Sequence, residues 1–190
     1  QSLSPDSFRG KVVAVPVANP SAFMHISRNS AVDGRNLART FPGKENGDYT
    51  ERLAWLLHEK FIGHADFFLD LHSGGSEIAL PPFVGYYDNE KDPVGQSSRM
   101  AAEQFGLPVI WGHAKIPPGR TISSANTFGV PWLYTEAYGG RRVKREERKM
   151  FSRGIKRLMH HLEMLLVDEP LTPISVHYDL RGNGDLDQSV

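Results

Sequence analysis

The sequence predicts an α/β fold built on a doubly wound, largely parallel or mixed sheet that is flanked by helices. Two observations lead to this fold class. Short apolar runs typical of buried strands alternate with longer segments of helical periodicity, and turn residues separate them. The length of 190 residues suits one domain with a sizeable core.

The first half of the chain holds a strand, a long loop and a helix. Residues 11–20, KVVAVPVANP, predict a buried strand that ends at Asn19, because the residue before a proline is pushed out of helical conformation. Residues 21–47 show little periodicity, and loops of that length in compact domains are usually functional or disordered. Asp48 and Glu51 form a capping pattern. It predicts a helix to about residue 62 with an apolar face of Leu53, Leu56, Leu57 and Phe61.

The second half of the chain alternates strands with helices. The run FFLDL predicts a buried strand that ends on His72, and EIALPPFVGYY and LPVIW predict further strands. A helix is expected near 93–105, and a helical turn at TISSANTFG. The strand over 130–136, VPWLYTE, precedes a last helix over about 143–166.

Charge and composition exclude several classes of function. Lys plus Arg and Asp plus Glu number 22 each, so no global field would attract nucleic acid or an anionic membrane. Cysteine is absent, which leaves His, Asp and Glu as metal ligands. The chain has no apolar stretch of bilayer-spanning length, and its polar start is not a signal peptide. A cytoplasmic protein is therefore the default, and homo-oligomerisation stays open.

Two predicted strands end on residues that can carry chemistry. His72 and Glu136 each follow an apolar run and are each followed closely by two glycines. The carboxyl ends of neighbouring parallel strands meet at one edge of a sheet, so the pair predicts a metal ligand with a general base beside it. Structural roles are the alternative. His72 would then cap its strand, and Glu136 would pair with Arg141 or Arg142.

The segment DGRNLARTFPG, residues 33–43, predicts a carboxylate-binding loop. Arg35 and Arg39 can each hold a carboxylate through two parallel hydrogen bonds, and Asn36 lies between them. The alternative is a solvated basic loop, which the anchoring Phe-Pro-Gly turn makes less favourable.

In this order, NP…AF, DGRNLARTFPG, DLHSGG and YTEAYGG resemble the motifs of the succinylglutamate desuccinylase/aspartoacylase family, relatives of the zinc carboxypeptidases, over about 10–166. The resemblance implies that His72 is a zinc ligand and that Glu136 is the general base. It also implies that Arg39 binds the substrate carboxylate and that Arg28 polarises the scissile carbonyl. The implied reaction is zinc-dependent hydrolysis of the amide bond of an N-acyl amino acid or a similar small carboxylate substrate.

The sequence departs from the family pattern at two points. Ala38 stands where the motif has asparagine, so one polar contact to the substrate is missing. The family's early His-x-x-Glu motif should lie before 11–20, yet the ten residues there contain neither His nor Glu. Two of the three expected zinc ligands are thus absent from this chain. His160 and Glu163 have the right spacing, but they fall after the base, on a helix that its apolar stripe already explains.

These departures predict a fragment and leave two functions open. We expect 1–170 to be a partial catalytic domain without its first strands, and 171–190 to be a connector towards a missing small β-rich domain. In the first hypothesis the whole protein is a metal-dependent deacylase and this chain alone is inactive. The alternative is a non-catalytic carboxylate-binding module on the same scaffold.

Overall fold

The computed structural model describes residues 4–166 and 178–181. These residues form a five-stranded mixed sheet flanked by helices. The strands of this sheet are β1 Phe68–Ser73, β2 Phe83–Tyr87, β3 Val109–His113, β4 Trp132–Ala137 and β5 Tyr178–Arg181. Their order across the sheet is β1-β4-β2-β3-β5. β2 runs parallel to β3 and antiparallel to β4, and β3 runs parallel to β5. The predicted fold class is confirmed in its mixed form.

Strand β1 lies next to β4 and runs parallel to it. The backbone N–H of Phe68 donates to the carbonyl of Pro131 at 2.9 Å, and that of Gly74 donates to Ala137 at 3.1 Å. The two bonds have the same offset in sequence, which is the pattern of parallel strands. This register brings His72 level with Glu136 on the neighbouring strand.

The α-helices of the described residues are α1 Pro20–Met24, α2 Tyr49–Lys60, α3 Pro93–Phe105, α4 Thr121–Thr127 and α5 Arg145–His161. α3 packs against β2 and α5. At that contact a side chain on Gly154 would collide with the ring of Phe105. None of the helices in the described ranges combines the length and apolar character that crossing a bilayer requires.

Helix α2 begins as predicted but buries a different face. Asp48 caps it, and the Asp48 N–H donates to the Glu51 carboxylate at 3.0 Å. Its buried residues are Thr50, Ala54 and His58, which recur every four positions. The predicted apolar face is wrong in part, because Leu56 and Phe61 remain more than one third exposed. Thr50 and Ala54 on this face are smaller than leucine and allow closer packing.

The described residues divide into two compact units. The first comprises those of Gln1–Lys11, Leu69–Lys115 and Leu133–Val190, and the second those of Val12–Phe68 and Ile116–Trp132. The first unit contains most of the sheet with α3 and α5. The second contains α1, α2, α4 and the loop that carries the predicted carboxylate-binding residues.

The predicted strand over 11–20 is wrong. Residues 11–15 have no secondary structure, and Asn19 instead caps α1 by accepting a hydrogen bond from the Ala22 N–H at 3.2 Å. Val12 and Val13 are 54% and 56% exposed, so the apolar run lacks the cover that a buried strand requires. Apolar composition signals burial only when other elements cover the segment.

Strand β1 has the predicted position but not the predicted burial. Its first half is partly buried, and the half that contains His72 is exposed, with Leu71 at 53%. The prediction of a buried strand is therefore wrong for these residues. β1 stands at the end of the strand order in the described sheet, where only one neighbouring strand covers it.

Asp33 ties the long loop to the start of α2 and should make this unit sensitive to acid. Thr50 donates to its carboxylate from the backbone N–H at 2.8 Å and from the hydroxyl at 2.7 Å. Burial alone would raise the pKa of Asp33, but the hydrogen bonds from Thr50, together with the Arg35 N–H, lower it from 3.8 to about 2. A carboxylate stabilised in this way favours the folded state at neutral pH.

We expect Asp33→Asn to remove part of the acid-labile stability. The pKa of Asp33 is lower in the folded state than in the unfolded state, so its contribution is complete above about pH 4 and is lost as the pH falls through about 2. That contribution is about 2 kcal/mol. Urea unfolding at pH 6 and pH 2.5 measures it. Asp33→Asn should lose less stability between the two pH values than the wild type does. Asp66→Asn, a control at an exposed position, should lose as much stability as the wild type.

Candidate active site

His72 and Glu136 lie side by side on β1 and β4. Side chains alternate along a strand and point the same way at matched positions of neighbouring parallel strands. The side chains of His72 and Glu136 therefore project from one face of the sheet. Asp70 and Tyr134, which lie two residues earlier on β1 and β4 and are level with each other, project from the same face. The structure thus places the predicted metal ligand and the predicted base together.

The imidazole of His72 is held by a carboxylate on its own strand. Its Nε2 lies 2.9 Å from Oδ2 of Asp70, and the two residues share a face because they are two positions apart. His72 is 43% exposed at its side chain, whereas Asp70 is 18% exposed. A carboxylate in this position fixes the orientation of the imidazole ring.

The glycine turns that follow the two residues pack against each other. A side chain on Gly139 would lie 2.6 Å from the Cα of Gly74, and one on Gly74 would collide with the carbonyl of Ile78. Gly139 also has a φ of +75°, a conformation that favours glycine. Glycines in such turns allow another group to approach the backbone closely. The group that approaches is the other turn of the same chain.

Hydrogen bonds join the two turns into one unit. Leu80 donates from its N–H to the Tyr138 carbonyl at 2.9 Å, and Gly140 donates to Ile78 at 3.0 Å. Arg141 donates from its backbone to Gly75 at 3.2 Å. These bonds hold the ends of β1 and β4 together, so that the distance between His72 and Glu136 is set by the backbone.

Arg142, one of the alternative partners considered for Glu136, lies over an aromatic ring. Its guanidinium is 5.3 Å from the centre of the Tyr138 ring, and the Lys144 ammonium is 4.4 Å from the same ring. Cations at this distance are attracted to the face of the ring.

Arg35 and Asn36 have local partners in the second unit. Arg35 donates to Asp48 at 2.8 Å and lies 3.8 Å from Glu51, so its guanidinium is already paired with carboxylates at the start of α2. The Asn36 side chain accepts a hydrogen bond from the Ala38 N–H at 3.0 Å and caps the 3-10 helix Leu37–Arg39. These contacts favour structural roles for both residues.

Arg39 and Arg28 are exposed arginines of the same unit. Arg39 donates from Nη1 to the carbonyl of Ala38 at 2.8 Å. Its backbone is fixed by Gly119, where a side chain would lie 2.8 Å from the Arg39 carbonyl. The exposed Arg39 guanidinium on a fixed backbone is consistent with the predicted contact to a substrate carboxylate.

The described residues do not form a complete metal site. Within 4–166 and 178–181 there is no group of three or more His, Asp or Glu side chains that could hold a metal ion. His25 contacts the carbonyl of Ser21 through Nδ1 at 3.0 Å, and Glu163, which has the family's ligand spacing to His160, pairs with Arg9 at 3.1 Å. The residues present therefore do not fit zinc by themselves.

A second polar pair on the same face of the sheet escaped the sequence analysis. The hydroxyl of Tyr134 and Nε2 of His113 are 2.8 Å apart, and the two residues are 6% and 8% exposed. The one sequence signal was Gly85 in the middle of FVGYY, since an isolated glycine in a strand marks a close approach. A side chain on Gly85 would collide with the Tyr134 ring.

Comparison with known proteins identifies the family of this chain. A family model described as the succinylglutamate desuccinylase/aspartoacylase catalytic domain matches residues 1–162. The chain belongs to this family. The match covers both strand ends and the loop with Arg39.

Individual relatives of known name are deacylases. The N-alpha-acetyl-L-2,4-diaminobutyric acid deacetylase of Halomonas elongata is 29% identical over 174 residues, which cover 88% of this chain and 51% of the relative. A succinylglutamate desuccinylase structure from Silicibacter sp. has a TM-score of 0.85 at 26% identity, covering 95% of this chain and 54% of the other.

A further solved structure gives the same result. The succinylglutamate desuccinylase/aspartoacylase from Rhodobacter sphaeroides has a TM-score of 0.82 at 27% identity and covers 95% of this chain and 55% of its own. The chain therefore spans about half the length of the relatives that it matches.

Proposed function

We propose that the whole protein hydrolyses the amide bond of an N-acyl amino acid or a similar small carboxylate substrate. The observation that carries the proposal is the pairing of His72 with Glu136 on neighbouring parallel strands, with Asp70 holding the imidazole at 2.9 Å. Membership of the deacylase family supports the reaction class. Zinc is part of the proposal, with His72 as its ligand from this chain, although the described residues do not complete a site.

Glu136 is the general base in this proposal. Its carboxylate takes a proton from the water that attacks the amide carbon, and a tetrahedral oxyanion forms. Arg28 stabilises the negative charge on that oxygen. The carbon–nitrogen bond then breaks, and Glu136 returns the proton to the leaving nitrogen. The immediate products are the free amine of the amino acid and the carboxylic acid of the acyl group. The acid's proton then passes to the amine, which leaves a carboxylate and an ammonium group, so atoms and charge balance.

Substrate recognition rests on Arg39 in this proposal. A guanidinium holds a carboxylate through two parallel, charge-assisted hydrogen bonds. Arg39 is given this role because it matches the family's carboxylate-binding arginine in sequence and because its exposed guanidinium stands on a backbone fixed by Gly119. Arg35 pairs with Asp48 and Glu51 at the start of α2. Asn36 then acts indirectly, by capping the short helix that carries Arg39.

The test is amide hydrolysis by the whole protein over a panel of N-acyl amino acids that differ in acyl group and side chain. The released amine is measured for the whole protein and for this 190-residue chain, with zinc stoichiometry after dialysis. We expect turnover by the whole protein only, and weak zinc binding by the short chain. Tight one-to-one zinc binding with turnover in the short chain would contradict the ligand assignment. Substrate binding without hydrolysis by the whole protein would favour the carboxylate-binding module instead.

A further inference from the structure

The side chains of Tyr134 and His113 form a hydrogen bond across a whole strand. Tyr134 is on β4 and His113 is on β3, and β2 lies between those strands. Tyr134 is opposite Gly85 of β2, and its ring occupies the space that a larger residue at that position would need. It can therefore lie flat over β2 and reach Nε2 of His113 at 2.8 Å.

Aromatic contacts fix the Tyr134 ring on both sides. Phe83 meets it edge-on with ring centres 5.7 Å apart, and the imidazole of His113 lies at 5.4 Å. Trp111 contacts Phe83 at 5.5 Å and His113 at 5.1 Å. Edge-on and tilted pairs at these separations are favourable, so that the ring has a single well-packed position.

This cluster lies on the face of the sheet that carries His72 and Glu136. Tyr134 is two residues before Glu136 on β4, and Glu136 is opposite Phe83. We infer that Tyr134 is a positioning residue for Glu136, with His113 as the partner that holds it. This inference rests on the proposed function. Tyr134 does not touch the reacting atoms; it ties the end of β4 to β3, so that the Glu136 carboxylate keeps a fixed place relative to the attacked carbon.

The opposite face of the same strand provides a contrast. Thr135 lies between Tyr134 and Glu136 and is fully buried, yet its hydroxyl has no hydrogen-bond partner. The Thr135 hydroxyl shows that a polar group can be buried on β4 without a hydrogen-bond partner. The Tyr134 hydroxyl differs, because it has a dedicated partner two strands away and a glycine that makes room for its ring. Removing the hydroxyl of Tyr134 can therefore be compared with removing the hydroxyl of Thr135, one residue away on the same strand.

The experiment compares Tyr134→Phe with Thr135→Val in the whole protein. Each change removes one buried hydroxyl and keeps the shape of the side chain. We expect Tyr134→Phe to lower kcat by about 10- to 100-fold with KM within twofold of wild type, because small displacements of a catalytic group have effects of this size. Thr135→Val should leave both constants unchanged. His113→Gln combined with Tyr134→Phe should lose no more activity than the more affected single variant.

Two results would overturn the positioning role. One is an unchanged kcat for Tyr134→Phe, and the other is an equal loss of kcat for Thr135→Val, which would indicate a general effect of disturbing β4. Far-ultraviolet circular dichroism and thermal melting of each variant establish that it is folded, and His113→Gln alone repeats the test should Tyr134→Phe not fold. Wild-type activity is measured first. Its absence over the whole substrate panel overturns the proposed function and the positioning role together, whereas wild-type turnover with an unaffected Tyr134→Phe overturns only the latter.

Discussion

Replacing Glu136 by glutamine is expected to reduce kcat of the whole protein by about 10²- to 10⁴-fold, the range for loss of a general base. Glutamine keeps the size and hydrogen-bonding reach of the side chain but does not take up a proton at neutral pH. KM should change little, since the base acts on water and not on the bound substrate. Steady-state kinetics on the best substrate of the panel measures both constants.

Two controls belong with the Glu136 variant. Glu45→Gln makes the same chemical change at an exposed loop position and should retain wild-type activity. Binding of a non-hydrolysable substrate analogue to Glu136→Gln should match that of wild type. Retention of more than a tenth of the wild-type kcat would exclude Glu136 as the base and would direct attention to Asp70 and His72.

Replacing Arg39 by alanine is expected to weaken the handling of carboxylate-bearing substrates by about 2 to 5 kcal/mol, the cost of truncating one partner of a desolvated charged pair. This corresponds to about 30- to 5,000-fold in kcat/KM. The loss should disappear for a substrate whose carboxylate is replaced by a neutral amide, because no charged partner is then left without its guanidinium. Kinetics on the matched acid and amide substrates separates this role from misfolding.

Two other arginines serve as comparisons for Arg39. Arg52→Ala removes an exposed guanidinium from α2 and should leave kcat/KM unchanged for both substrates. Arg35→Ala should mainly lower stability, because it breaks the contacts with Asp48 and Glu51. If Arg39→Ala affected acid and amide substrates equally, the carboxylate contact would be excluded.

Local signals in the sequence predicted much of the fold. Asp48 and Glu51 marked the start of α2, and Pro93 and Gly106 mark the ends of α3 in the structure. The prediction succeeded there because caps and turns depend on residues close together in sequence. The strand ends at His72 and Glu136 were located for the same reason.

The burial of each segment was predicted less accurately than the ends of helices and strands, because burial depends on which elements cover the segment. Residues 11–15 have the composition of a strand, and yet their valines are exposed. The buried face of α2 runs through Thr50, which the hydrogen bonds to Asp33 hold in place. That contact joins positions seventeen residues apart, and no periodicity within the helix indicates it.

The sequence predicted only those site residues that end a strand. His72 and Glu136 were found together because each ends an apolar run, but the role of Asp70 required the observed 2.9 Å contact. Arg35 and Arg39 both fit a carboxylate-binding loop in sequence, and the contacts of Arg35 with Asp48 and Glu51 became visible only in the structure. Whether Arg28 and Arg39 act in the reaction stays a prediction.

The crossing of Tyr134 over Gly85 has an evolutionary consequence. The two positions compete for one volume, so they should change together rather than independently within the family. A relative with a larger residue at the position of Gly85 is expected to have a small one at the position of Tyr134, and then a residue other than histidine at the position of His113. In laboratory evolution, Gly85→Ala should be deleterious in the wild-type background and tolerated after Tyr134→Ala. A pairwise mutational scan of folded yield would detect this positive epistasis.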